Sequence, residues 1–157
     1  MKTTKRIAAA VLALVMVFAL AACGGAEKTV TLRGDMSDAT GMPTTDTWTM
    51  TAKGDIVQTL NEVLEFDLSE SDDETIAAIE SMMESTIINP ANEIDGIECT
   101  GKTEDGVYTI ELNVDCTGSA VSKAAEAGIL TIDGTSKAIS LKQTQASLEK
   151  QGYEVVE

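Results

Sequence analysis

Val30, Leu32, Gly34 and Met36 alternate with Thr31, Arg33 and Asp35, a period of two that predicts a strand with one buried and one solvated face. Trp48, Met50 and Ala52 alternate with Thr47, Thr49 and Thr51 in the same way, placing a β-branched polar face opposite an apolar one. Residues 38–44, with Gly41 and Pro43, read as the loop between these two strands. Lys53-Gly54-Asp55 supplies a turn and Ile56 to Phe66 a longer third strand, so the first half is expected to be an antiparallel meander.

The period changes after Ser69. Ser71-Asp72-Asp73-Glu74 has the form of a capping box, with Ser71 satisfying free amides and Glu74 reaching back. Ile76, Ile79, Met83 and Ile87 then recur at helical spacing, and Asn89-Pro90 is expected to close the helix. Tyr108, Ile110, Leu112, Val114 and Cys116 restore the alternation, and Asp105-Gly106 before them is a strong hairpin signal after Ile97 and Cys99. Residues 119–127 suit a short helix stopped by Gly128. Ser140 caps a last helix through Lys150, Gly152 ends it, and Tyr153 to Val156 form a final edge strand. The expected fold is α+β: an antiparallel sheet, meander plus hairpin, with about three helices packed on one side.

The N-terminus carries a different pattern. Lys2, Lys5 and Arg6 precede an uncharged run from Ile7 to Ala22, the basic and apolar regions of a signal peptide. That run is shorter than the ~20 residues a spanning helix needs. It ends in Leu20-Ala21-Ala22-Cys23, which resembles the lipobox of bacterial lipoproteins. Small residues at 21 and 22 fit a peptidase's narrow subsites. The Cys23 sulfur is the nucleophile that takes up a diacylglycerol before cleavage between Ala22 and Cys23. Three segments follow: a signal peptide (1–22), the lipidated Cys23 with a short tether (23–28), and a single α+β domain (29–157). At ~3.5 Å per residue the tether reaches only about 15–20 Å, so the domain is expected close to the outer face of the cytoplasmic membrane.

Charge narrows the partners. Without residues 1–22 the 11 basic residues fall to eight against 26 acids, a net charge of −18. Nucleic acid, which requires a basic face, is excluded, and anionic headgroups repel such a domain. The membrane partner is therefore reached through lipid, and two acyl chains suffice for that. The chain has no histidine, which removes Ser-His-Asp triads, Cys-His pairs and His-containing zinc sites.

From Val30 onward the order of elements resembles the YehR-like family of bacterial lipoproteins. The residues carrying the likeness are the lipobox, Asp105-Gly106-Val107-Tyr108 with Ile110-Glu111, and the C-terminal Ser140-Leu141-Lys142-Gln143-Thr144 with Leu148-Glu149-Lys150-Gln151-Gly152-Tyr153. The resemblance implies a small lipid-anchored α+β domain without a catalytic motif, and it transfers no site residues.

Four groups of side chains are candidates for chemistry. A two-residue turn at Asp105-Gly106 sets Cys99 opposite Leu112 and Cys116 opposite Asp95, on one face and about 13 Å apart along the strands. A disulfide needs Cα atoms within ~7 Å and so demands a bulge or register shift; two small core-face thiols are the favoured reading. Glu65, Asp67, Glu70, Asp72, Asp73 and Glu74 lack the spacing of a calcium loop and suit a solvated strand exit and helix start. Trp48 is expected in the core, with the rim of a binding groove as the alternative. Met82, Met83, Ile87 and Ile88 are expected to pack on the sheet. No metal or cofactor is expected, and no nucleophile elbow, Ser-x-x-Lys motif or phosphate loop is present. The functional expectation is a non-catalytic, membrane-anchored interaction or binding module with an envelope protein as partner. A small-ligand or cation-binding lipoprotein is the alternative.

Overall fold

The computed structural model describes residues 25–130 and 138–156; the signal-peptide and lipobox readings, Ala22 and Cys23 included, lie outside the described residues. Strands β1 (Glu27–Asp35), β2 (Thr44–Lys53) and β3 (Ile56–Asp67) form the meander, and β4 (Ile97–Glu104) and β5 (Val107–Asp115) the hairpin. With β6 (Glu154–Val156) they make one antiparallel sheet in the order β4-β5-β3-β2-β1-β6. The first strand begins three residues before Val30, where the alternation starts, because Glu27, Lys28 and Thr29 pair with Lys53, Ala52 and Thr51.

Alternation assigns the two faces. Val30, Leu32, Met50, Ala52, Leu60, Phe66, Ile97, Cys99, Tyr108, Ile110, Leu112 and Val114 are buried on the face that carries the helices. The opposite face is a solvated array of threonine, asparagine and acid, with Oγ contacts of 3.0 Å between Thr29 and Thr51 and 3.2 Å between Thr31 and Thr49. One irregularity lies in β3. Thr51 pairs with Thr59 but Ala52 with Val57, and this bulge turns Val57 inward although it lies out of step with Leu60.

Helix α1 (Ser37–Thr40) occupies part of the segment expected to be loop. Asp35 Oδ1 accepts from the Ser37 amide at 2.8 Å, and Gly41 at φ +75° closes the turn. Helix α2 (Asp73–Met83) is capped by Asp72, not Ser71: the Asp72 side chain accepts from the Thr75 amide at 2.8 Å, while the Ser71 amide is spent on the Leu68 carbonyl. Nor does Asn89-Pro90 end the helix. A π-helical turn (Glu84–Ile88) leads into α3 (Asn89–Asn92), where Pro90 sits in the first positions and its missing N–H is tolerated. Met82 stays half-exposed at 51%, because the residue beside it, Met83, takes the inward position on the helix.

Helix α4 (Ala120–Glu126) and helix α5 (Leu141–Lys150) complete the layer. Ser140 caps α5 as expected, accepting from the Gln143 amide, and donates its own hydroxyl to Asp55 Oδ2 at 2.7 Å. This fastens α5 to the turn between β2 and β3. At the far edge Asn92 clamps Cys99 of β4 through both its backbone N–H and its C=O, each at 2.8 Å, blunting an otherwise open strand. Among the described residues no helix is long and apolar enough to cross a membrane.

Candidate functional site

Two acids occupy inward positions of the sheet. In β2, Thr44, Asp46, Trp48 and Met50 share the helix-bearing face; in β3, Leu60, Glu62, Leu64 and Phe66 do. Trp48 stands opposite Glu62 and Asp46 opposite Leu64, so the two acids are diagonal neighbours with Cβ atoms about 7 Å apart. On its other side Glu62 faces Leu112.

Asp46 is 3% exposed. Its Oδ2 accepts from Tyr153 Oη at 2.6 Å and from Trp48 Nε1 at 2.8 Å, while Oδ1 has no hydrogen-bond partner. Gly34 makes this arrangement possible. It is the cross-strand partner of Asp46, and the Tyr153 ring lies so close above it that an added Cβ would stand 2.8 Å from the ring carbons. Without a side chain at 34, the tyrosine crosses β1 and reaches the carboxylate on β2. Burial raises the Asp46 pKa, with the Tyr153, Trp48 and Thr47 donors working against it.

Glu62 differs in access. It forms no hydrogen bond or ion pair among the described residues. Asp46 Oδ1 is the single unpartnered polar side-chain atom among them that water does not reach, so both Glu62 carboxylate oxygens touch solvent. Burial first, and then the charge of Asp46, push the Glu62 pKa up to about 8. Among the described residues no cation pairs with either acid: Arg33 pairs with Glu65 at 3.3 Å and Lys102 with Glu104 at 2.8 Å, both on the opposite face. Trp48 and Leu64, the neighbours of Glu62, are themselves only half-buried.

The residues singled out from sequence fall elsewhere. Cys99 and Cys116 are separate, buried free thiols, Cys99 opposes Leu112, and burial lifts both to about 11. Thiols so raised are poor nucleophiles. Glu65, Asp67, Glu70, Asp72, Asp73 and Glu74 do not converge. Glu65 pairs with Arg33, Asp67 accepts from the Ser69 amide at 3.0 Å, and Asp72 caps α2. Among the described residues no three His, Cys, Asp or Glu side chains approach closely enough to hold a metal ion. Trp48 is half-buried and packs against the core, with its indole N–H anchored to Asp46. The acid pair itself was missed, although Asp46 and Glu62 each interrupt an apolar parity in their strands.

No family model matches the chain, and no curated protein matches it. Among solved structures, a Streptococcus pneumoniae protein determined by NMR superposes with a TM-score of 0.60 at 17% identity, over 90% of this chain and 92% of that one. Escherichia coli YehR, also determined by NMR, gives 0.63 at 13% identity, over 83% of this chain and 91% of its own. The chain therefore shares its α+β fold with YehR and the pneumococcal protein.

Proposed function

We propose that this chain is a lipid-anchored, extracytoplasmic binding module without catalytic activity, held at the outer face of the cytoplasmic membrane by diacylglycerol on Cys23. The observation that carries the binding role is the acid pair: a solvent-reached Glu62 backed by a buried Asp46, with no cation beside them among the described residues. A carboxyl group without a hydrogen-bond partner on the inward face of a sheet costs stability, and acids so perturbed cluster at functional sites.

Catalysis by the same pair is disfavoured on geometry. A glycosidase needs two carboxyl groups that both reach the substrate, and Asp46 is enclosed behind Trp48 and Tyr153. Anchoring is supported by the lipobox and by the placement of the sheet. β1 begins at Glu27, so three residues separate it from Cys23. Asp46, opposite Gly34, lies about 23 Å further along the strands from the level of Glu27, at ~3.3 Å per residue.

Cys23→Ser tests the anchor. Intact mass and membrane fractionation should show an uncleaved, unlipidated precursor. Normal processing of that variant would show the lipobox reading to be wrong. Crosslinking the lipidated protein in its membrane tests the module: specific capture of an envelope protein is expected.

A further inference from the structure

The two edges of the sheet are finished differently. On β4 the Asn92 side chain occupies both the N–H and the C=O of Cys99 at 2.8 Å. β6 is the other edge, and among the described residues nothing bonds to its outer backbone groups. It carries no lysine, proline or bulge of the kind that keeps an open strand from pairing with a second chain. Val155, at its centre, is 48% exposed.

A groove of about 980 Å³ opens beside this edge. Arg33 stands opposite Glu154 across β1 and β6, and Asp35, Thr45 and Glu65 follow one another across β1, β2 and β3 on the same solvated face. Carried two residues further, the β6 register would set Gly152 opposite Asp35. Gly152 has no side chain, and nothing lies within 4 Å of where a Cβ would stand. The groove therefore runs from the strand edge over Gly152 to the acids behind it.

Charge selects the occupant. Asp35, Glu65, Asp67 and Glu154 line the groove against one cation, Arg33, which is already 3.3 Å from Glu65. Hydrogen bonds from Ser37 and Ser69 hold Asp35 and Asp67 below the ordinary carboxylate range, so both are charged at neutrality. A second copy of the chain is repelled, because 26 acids stand against 11 basic residues in each.

We propose that β6 is the docking edge for an extended basic segment of a partner protein, which adds one further strand to the sheet and lays its Lys or Arg side chains in the acidic groove. The proposal rests on reading the chain as a binding module and names the partner's chemistry, at a surface separate from Asp46 and Glu62. Alternation fixes the pattern of the segment. Glu154 and Val156 share the solvated face with Arg33 and Thr31, while Val155 stands with Leu32 on the helix-bearing face. A strand laid along β6 turns one side chain in two toward Glu154 and the groove, and the next toward Val155. Basic and apolar residues in alternation meet both. β6 is only three residues long, so few main-chain hydrogen bonds form and salt-sensitive charge pairs add to them.

The mature lipidated protein in detergent micelles is titrated calorimetrically with end-capped Lys-Val-Lys-Val-Lys-Val-Lys and with its Glu-Val counterpart. Two further lysine peptides are N-methylated, one on the valine amides and one on the lysine amides. Saturable binding of the parent lysine peptide is expected, with NMR shifts and slowed amide exchange at Glu154–Val156. The glutamate peptide should bind at least about tenfold more weakly, and salt should weaken the lysine peptide by a similar factor. One methylated peptide, and not the other, should lose binding, because only alternate amides face the edge. Val155→Lys, at an exposed site, should weaken the lysine peptide at least about tenfold with Tm unchanged, by giving the edge a repelling charge. Equal binding of the glutamate peptide, equal binding of both methylated peptides, or full affinity in Val155→Lys overturns the proposal. So does a dimer in sedimentation that Val155→Lys dissolves, since a second copy would then own the edge. Silence to the lysine peptide overturns it whatever crosslinking gives; the module reading falls only if membrane crosslinking also captures nothing specific.

Discussion

Replacing Glu62 by Gln should change how stability depends on pH, and the sign is fixed by the direction of its pKa. A carboxyl raised from 4.5 to about 8 on folding binds its proton more tightly in the native state. Its contribution is fully present below the unfolded value and is lost as pH rises through the folded one. Linkage over pH 5.5 to 8 amounts to about 3 kcal/mol, of which screening by the water that reaches Glu62 leaves about 2 kcal/mol. The window is unusually clean. The chain has no histidine. The carboxylates of Asp35, Asp55, Asp67, Asp72, Asp115 and Glu104 are held below their ordinary values by hydrogen bonds and have finished titrating. Cys99 and Cys116, lifted to about 11, enter only above it. Asp46 is raised as well, so it acts in the same direction. Urea denaturation of the wild type at half-unit steps should show stability falling by about 2 kcal/mol, while Glu62→Gln loses most of that slope and is the more stable protein at pH 8. A wild-type profile that is flat, or that rises with pH, would refute the reasoning.

Gly34→Ala should destabilise by about 2–4 kcal/mol in thermal or urea unfolding, since the new Cβ displaces the Tyr153 ring and with it a hydrogen bond to a buried carboxylate. A variant as stable as the wild type, with Trp48 fluorescence unchanged, would contradict the packing described. Cys99 and Cys116 should resist a thiol reagent at pH 8 in the native protein and react at once in 6 M guanidinium, because both are buried and raised to about 11. Rapid labelling of the folded protein would count against their enclosure.

Much of the fold was legible because the apolar period changes where the elements change. The hairpin register followed from Asp105-Gly106 alone: Asp105 and Gly106 take positive φ of 52° and 81°, as the turn demands, and Cys99 lands opposite Leu112. Ser140 as the cap of α5 followed from its position before Leu141. The errors have local causes. Ser71 and Asp72 are both good caps, and the Leu68 carbonyl decides between them by engaging the Ser71 amide. Pro90 usually marks a helix end, but a wide π turn before it removes the clash that a regular helix would suffer. The bulge between Thr51 and Ala52 has no glycine to announce it.

The acid pair was illegible for a different reason. Asp46 and Glu62 each sit in register with apolar neighbours, a visible anomaly in a single strand. Their partnership depends on the pairing of Trp48 with Glu62, and on Tyr153, which is 107 residues from Asp46 in the chain. No local pattern encodes that contact. Gly34 carried the clue, a glycine in the interior of a strand marking a close approach.

The most direct test is a carbon-detected NMR titration of the Glu62 carboxyl in the unliganded protein between pH 4 and 10. A midpoint near 8 is expected. A midpoint near 4.5 would contradict the existence of an uncompensated acid pair on the helix-bearing face.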